Sequence, residues 1–173
     1  MHTKHAANAA RHGRHLTPLR DALGLVASIA VCAVASGIGG LITSNSVRTW
    51  YQTIAKPSFN PPDWVFAPVW TILFVMMAIA AWRVWRRHPW QAARSALALH
   101  AIQLALNVGW SALFFGMRAP GWAFIEVIIL LAAILLTARA YAPLDRVAAW
   151  LMAPYAAWVA FATVLTGAIW RLN

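Results

Sequence analysis

Charge is scarce in this chain and acid is scarcer: 10% of its 173 residues are charged, and only four are Asp or Glu. With 62% of residues hydrophobic, a soluble domain of this length could not hide its apolar side chains in one core, which excludes the ordinary soluble globular classes. The single cysteine, Cys32, rules out an intramolecular disulfide and reads as a small apolar filler of the first helix. No His/Cys cluster with zinc spacing, no nucleophile paired with a base and no nucleotide-binding loop is visible, which argues against ordinary metal or acid–base chemistry. An inverted repeat is also missing, and with one acid inside the spans this makes a poor alternating-access transporter.

What is abundant is long uncharged sequence. Ala22 to Val47, Trp64 to Trp82, Ser95 to Met117 and Val147 to Trp170 contain no Asp, Glu, Lys or Arg, and Ala119 to Ala138 is broken by Glu126 alone. Each is near the roughly 20 residues a helix needs to cross about 30 Å of hydrocarbon. The fold class is therefore all-α, an integral membrane bundle of five transmembrane helices. Approximate spans are 22–45, 62–84, 95–117, 119–140 and 147–170, in one domain over 21–173. Residues 1–20 form a basic tail with His2, His5, His12 and His15, read as solvated and disordered because it lacks apolar periodicity. The first span is read as retained, since it exceeds the h-region of a signal peptide and lacks a cleavage context.

A net charge of +10 would suggest nucleic acid in a soluble protein, but here the cations sit at helix ends and report topology. One side holds Lys4, Arg11, Arg14, Arg20, Arg83, Arg86, Arg87, Arg94, Arg139 and Arg146, and the other Arg48, Lys56, Arg118 and Arg171, a split of ten to four. The positive-inside rule then makes the N-terminus cytoplasmic and sends the C-terminus across the membrane, most simply a bacterial cell membrane. No nucleic-acid partner is expected; the lipid bilayer is.

The longest connection, "TSNSVRTWYQTIAKPSFNPPD", is stiffened by Pro57, Pro61 and Pro62. Pro62 and Asp63 suit a helix start, which sets a rigid lid at the mouth of the second span. Pro68, further in, should bend that helix, with Trp64 and Trp70 flanking the bend. Of the eleven tryptophans, Trp50, Trp82, Trp85, Trp90, Trp122, Trp150 and Trp170 lie near span ends and read as interfacial anchors. Trp70, Trp110 and Trp158 lie within spans, where each indole N–H must find a partner or face a ligand.

On the third span Gln103, Asn107 and Ser111 stand four apart, beside Trp110, and form a polar stripe. Ala101, Ala105 and Gly109 form a small-residue stripe about 200° around, open to a second copy of the chain. Glu126 either faces a cavity or partner, or snorkels or bonds a neighbouring helix. Pro154 should loosen the fifth span near Tyr155 and Trp158. Ala33, Ser36, Gly37 and Gly40 give the first span a small-residue packing face.

Three blocks, "WYQTIAKPSFNPPDWVFAPVWTILF", "QLALNVGWSALFFG" and "APYAAWVAFATVLTGAIWRLN", resemble in content and order the tryptophan-rich sensory protein and translocator protein family (TspO/MBR, the peripheral-type benzodiazepine receptors). The resemblance covers nearly everything from the first span to the C-terminus. It implies a five-helix bundle, often a homodimer, with a pocket toward the first loop that takes porphyrins or haem, and in animal relatives sterols and synthetic drugs. Carried over by position, the ligand site comprises Trp50, Tyr51, Trp64, Phe66, Ala67, Trp70, Asn107, Trp110, Tyr155, Trp158 and Ala162. Arg48 and Lys56 lie where propionates would meet them. Two departures stand out: Thr166 replaces the usual Asn after "ATVL", and Gly167 and Ala168 stand where the weak sterol motif wants a tyrosine.

The implied function is a membrane sensor or regulator that binds a tetrapyrrole, with no obligatory cofactor and no metal. The alternatives are light-dependent porphyrin degradation through Trp70 and Trp158, the sole catalytic candidates, and passage of porphyrin or lipid-like ligands. Saturable binding without product, light-driven loss of porphyrin absorbance, and movement between vesicle compartments distinguish the three.

Overall fold

The computed structural model describes residues 17–173, so Lys4, Arg11, Arg14 and the four tail histidines lie outside the described residues. Among the described residues five helical segments are long and apolar enough to cross a membrane. The first, α1 (Pro18–Arg48), opens with Pro18 in its first turn and with Thr17 Oγ1 accepting the Arg20 N–H at 3.4 Å. It is longer than the expected 22–45 because a helix is limited by its caps, whereas the uncharged run stops at Asp21.

A short α2 (Trp50–Thr53) follows, then an irregular stretch to Pro62 and a 3₁₀ turn, Asp63–Val65, before α3 (Phe66–Arg87). Pro62 and Asp63 thus start a 3₁₀ turn rather than an α-helix. Asp63 caps nothing with its side chain; its carboxylate accepts from Gln52 Nε2 at 2.8 Å. Pro68 falls in the first turn of α3, where its missing N–H removes no bond internal to the helix, so the expected bend has no cause.

The third span begins at Trp90 rather than 95: α4 (Trp90–Ser111) passes into a π-helical turn, Ala112–Gly116, closed by the Met117 N–H on the Ala112 carbonyl at 2.7 Å. The freed Phe115 carbonyl accepts the Ser46 hydroxyl, which ties the end of α1 to this turn. The fourth span is α5 (Pro120–Tyr141). The fifth is divided into α6 (Arg146–Leu151) and α7 (Ala153–Leu172). Its break lies at Met152, just before Pro154 rather than near Tyr155 and Trp158, because Pro154 has no N–H for the Trp150 carbonyl and opens the new helix instead.

Going round the bundle the order is α3, α1, α4, α5, α7, returning to α3 through α6. The α3–α6 approach is close; α3 and α7 meet chiefly through side chains, Phe66 on Trp158 at 5.8 Å and Trp70 on Tyr155 at 6.1 Å between ring centroids. One end is pinned. Asp145 takes Arg83 at 3.1 Å and Arg87 at 2.9 Å and caps α6 through the Ala148 N–H at 3.0 Å. Burial pushes that carboxyl up, but the Ala148 N–H, the hydrogen bond from Arg83 and the charges of Arg83 and Arg87 outweigh it and hold Asp145 below its ordinary range.

A core of Met77, Ala80, Val84, Leu130, Ile134 and Met152 fills the pinned half, and a smaller cluster of Tyr51, Phe114, Ala123, Leu165 and Ile169 fills the other. Trp90, Trp122, Trp150 and Trp170 are exposed as interfacial anchors would be. Trp82 and Trp85 turn inward instead. Trp82 donates its indole N–H to the Asp21 carbonyl at 3.1 Å, and the Trp85 ring occupies the space over Gly24.

Candidate functional site

At the unpinned end α1, α3 and α7 diverge around a cavity of about 460 Å³, within the usual range for organic ligands. Its walls are unlike one another. Phe66, Trp70 and Phe74 come from α3, Trp158 and Phe161 from α7, and Phe114 and Phe115 from the π turn. Facing these rings, α1 offers only Ser36, Gly39, Gly40, Thr43, Ser44, Val47 and Arg48. A slot with aromatic walls on one side and small residues on the other admits a flat, apolar molecule. Gly40 and Ser44 on α1 and Ala67 and Thr71 on α3 are at once lining and exposed, so the slot also opens sideways between these helices.

Two residues of the polar stripe of α4, Asn107 and Ser111, form the floor, whereas Gln103 is buried outside the cavity with its Nε2 on the Met77 sulfur at 3.7 Å. Asn107 donates from Nδ2 to the Tyr155 hydroxyl at 3.0 Å, and Ser111 lines the cavity beside it. Tyr155 is fully buried beneath Asn107 and reaches no free surface. Trp110 lines the slot and stacks on Phe114 with centroids 5.2 Å apart, while its buried indole N–H has no partner among the described residues.

The roof is the connection between α1 and α3. Tyr51 projects down into the cavity, and its hydroxyl donates to Asn60 Oδ1 at 2.7 Å. Burial, then the nearby Asp63 charge, pushes the Tyr51 hydroxyl up to about 12 against the opposing Asn60 bond, so it stays a neutral donor at any physiological pH. The Lys56 ammonium sits over the Tyr51 ring, 4.7 Å from its centroid. Asn173, the C-cap of α7, holds the same segment like a backbone partner: Oδ1 accepts the Ala55 N–H and Nδ2 donates to the Ala55 carbonyl, each at 3.0 Å.

Of the residues singled out in the sequence, Arg48, Tyr51, Phe66, Ala67, Trp70, Asn107, Trp110, Trp158 and Ala162 all line this one cavity. Four do not. Trp50 packs behind it on Phe114, Trp64 is 75% exposed and points away, Lys56 covers Tyr51 from outside, and Tyr155 supports the floor. Phe114 and Phe115 line the slot as well, and sequence spacing does not reveal them because only the π turn aims both at it. Phe161, Leu165 and Ile169 also line the cavity and recur every four residues on α7, as do Trp158, Ala162 and Thr166, so helical spacing signals both rows. The small face of α1 is partly cavity wall: Ser36 and Gly40 line it, and Ala33 and Gly37 face outward.

Glu126 is buried on α5 and turned to α4, close enough that a Cβ on Gly109 would lie 3.7 Å from Oε1. It neither snorkels to the interface nor lines the cavity, and neither oxygen has a hydrogen-bond partner among the described residues. Ala101 and Ala105, on the small stripe of α4, are exposed. Among the described residues no three His, Cys, Asp or Glu side chains gather as a metal would require.

Comparison with known proteins matches the TspO/MBR family over residues 28–171. The chain is 40% identical to the tryptophan-rich protein TspO of Chlorobaculum tepidum over 89% of its own length and 98% of the relative's. It is 38% identical to the translocator protein of Homo sapiens over 79% and 82% of the two chains. With the tryptophan-rich sensory protein of Cereibacter sphaeroides it shares 36% identity over 84% and 88%. Five spans, an aromatic slot beneath the first loop and agreement over nearly the whole sequence lead to one conclusion: this chain belongs to the TspO/MBR family.

Proposed function

We propose that this protein is a membrane sensor or regulator whose ligand is a tetrapyrrole, held in the slot between the aromatic walls and the small-residue face of α1. The names of its relatives support the coarser part, a membrane sensor or translocator. The observation that carries the finer part is the asymmetry of the slot. Trp70, Trp110, Trp158, Phe66 and Phe114 give π faces for a flat macrocycle, and Gly39 and Gly40 leave room for its thickness. Arg48 at the mouth supplies the cation that a propionate needs. Lys56, committed to Tyr51, is available to a propionate only if the roof moves.

The topology that goes with this reading places the pinned, arginine-rich end in the cytoplasm and the roof on the far side. The homodimer that goes with it uses Ala101, Ala105 and Gly109 of α4, which let two backbones approach.

The test is a titration of purified protein with protoporphyrin IX in darkness and in light, comparing wild type with Trp70→Phe plus Trp158→Phe. Indole quenching and porphyrin absorbance are followed together. Saturable quenching with an unchanged porphyrin spectrum is the expected result; absence of saturable binding would overturn the reading. A second reading, photochemical degradation, has in its favour that Trp70 and Trp158 both line the slot. Light-driven bleaching lost in the double variant would put it first.

A further inference from the structure

A second cavity, of about 650 Å³, lies at the pinned end between α1, α3 and α4 and shares no residue with the first. We infer that it holds one anionic acyl lipid from the leaflet at the arginine-rich end. Its wall along α1 runs from Arg20 through Leu23, Ala27 and Val31 to Cys32, and Leu97 and Leu104 of α4 face it. The twelve helical steps from Arg20 to Cys32 extend about 18 Å, close to the roughly 15 Å depth of one leaflet's hydrocarbon. The groove therefore has the length of one acyl chain standing upright in that leaflet.

Polar groups in the groove are arranged to match. Ser28 already donates to the Ala78 carbonyl at 2.7 Å, and Trp82 gives its N–H to Asp21. Arg20 is at the headgroup end, in the first turn of α1, where a cation is unfavourable beside the positive helix terminus unless an anion joins it. No Asp or Glu among the described residues does so. Asp21 is paired with Arg86 at 3.0 Å, and Asp145 is buried and paired with Arg83 and Arg87. Asp63 and Glu126 belong to other parts of the bundle, and residues 1–16 contain no Asp or Glu.

The same count decides the occupant. Ala101 borders this groove as well as the small stripe of α4, so a second copy of the chain is the competing candidate. A second copy offers no spare carboxylate at this end, whereas a phosphate headgroup brings the missing anion and a chain to cover the apolar wall. Leu104 and Cys32 close the deep end; His100, stacked on Tyr141 with centroids 6.0 Å apart, lines the groove one turn above Leu104, and neither of its ring nitrogens has a hydrogen-bond partner among the described residues.

Native mass spectrometry of the full chain with phosphatidylglycerol and phosphatidylcholine of identical chains, offered in equal amounts, tests the assignment. The wild type should retain one phosphatidylglycerol at least fivefold over phosphatidylcholine. Arg20→Gln should reduce that preference to parity, Arg20→Lys should restore most of it, and Ala27→Phe, which fills the groove from the exposed face of α1, should lower retention of both lipids. Parity in the wild type, or an unchanged preference in Arg20→Gln, would overturn the inference. So would a lipid-free dimer that Ala27→Phe splits into monomers, which would give the groove to a second copy. His100→Leu should leave retention unaltered; a loss as large as that of Arg20→Gln would put a polar ligand group at depth and sink the acyl-chain assignment.

Discussion

Replacing Asn173 by Ala removes the two hydrogen bonds that clasp Ala55, both 3.0 Å long, and leaves the roof without a hydrogen bond to α7 among the described residues. The clasp is solvent-exposed, so each bond belongs in the lower part of the net range, about 0.5–1 kcal/mol. Together they favour the closed roof by about 1–2 kcal/mol, a factor of roughly 5–30 in the closed-to-open ratio. Amide exchange at Ala55, whose N–H is the clasped donor, should accelerate by at least that factor. The dissociation rate of protoporphyrin IX, followed by recovery of indole fluorescence after dilution, should rise by a similar amount. Global stability should hardly change, since Tyr51–Asn60 and Gln52–Asp63 keep the segment folded on itself. Faster exchange at Ala55 with an unaltered dissociation rate would show that the clasp holds the roof but the roof does not hold the ligand. Unchanged exchange would refute the clasp itself.

Three further outcomes follow from the same geometry. Gly40→Leu should abolish porphyrin quenching while keeping or raising the melting temperature, because its side chain enters the slot where no atom lies within 4 Å of the new Cβ and the helix gains up to about 1 kcal/mol; unimpaired binding would remove α1 from the site. Asp145 has its carboxyl held down in the folded protein, so its contribution is present above the ordinary carboxylate value near 3.9 and is lost as pH falls through and below it. Thermal unfolding from pH 7 to pH 3 should show an acid limb that Asp145→Asn flattens, and parallel limbs would refute the assignment. Arg118 has φ 53°, a left-handed conformation costing a non-glycine residue about 1–2 kcal/mol, and Arg118→Gly should raise the melting temperature; a fall would mean that the side chain stabilises the turn in another way.

The spans were legible because uncharged runs in a chain this apolar have one solution, a helix across the bilayer. Their ends were not, since caps and charged turns decide them: Thr17 extends α1 past Asp21, and Trp90 starts α4 before Arg94. The core of the site was legible from aromatic and polar residues recurring at helical spacing, as with Asn107, Trp110 and Ser111. Phe114 and Phe115 were hidden because adjacent residues on a regular helix diverge by about 100°, and nothing in "SALFFG" announces the π turn. The clasp between Ala55 and Asn173 joins positions 118 apart, beyond the reach of any local pattern. Trp64 looked like a wall residue by its neighbours in sequence, yet the 3₁₀ turn rotates it outward.

That π turn makes the slot tunable by length. The Met117 N–H reaches back five residues rather than four, which amounts to one residue more than a regular helix would accommodate there. Deleting a single residue from Ala112–Gly116 would restore the regular helical pattern, in which neighbours such as Phe114 and Phe115 stand about 100° apart around the axis and could not both face the slot. Within this architecture one insertion or deletion at the turn would present different rings to a ligand, a change that a sequence comparison scored only on substitutions would overlook.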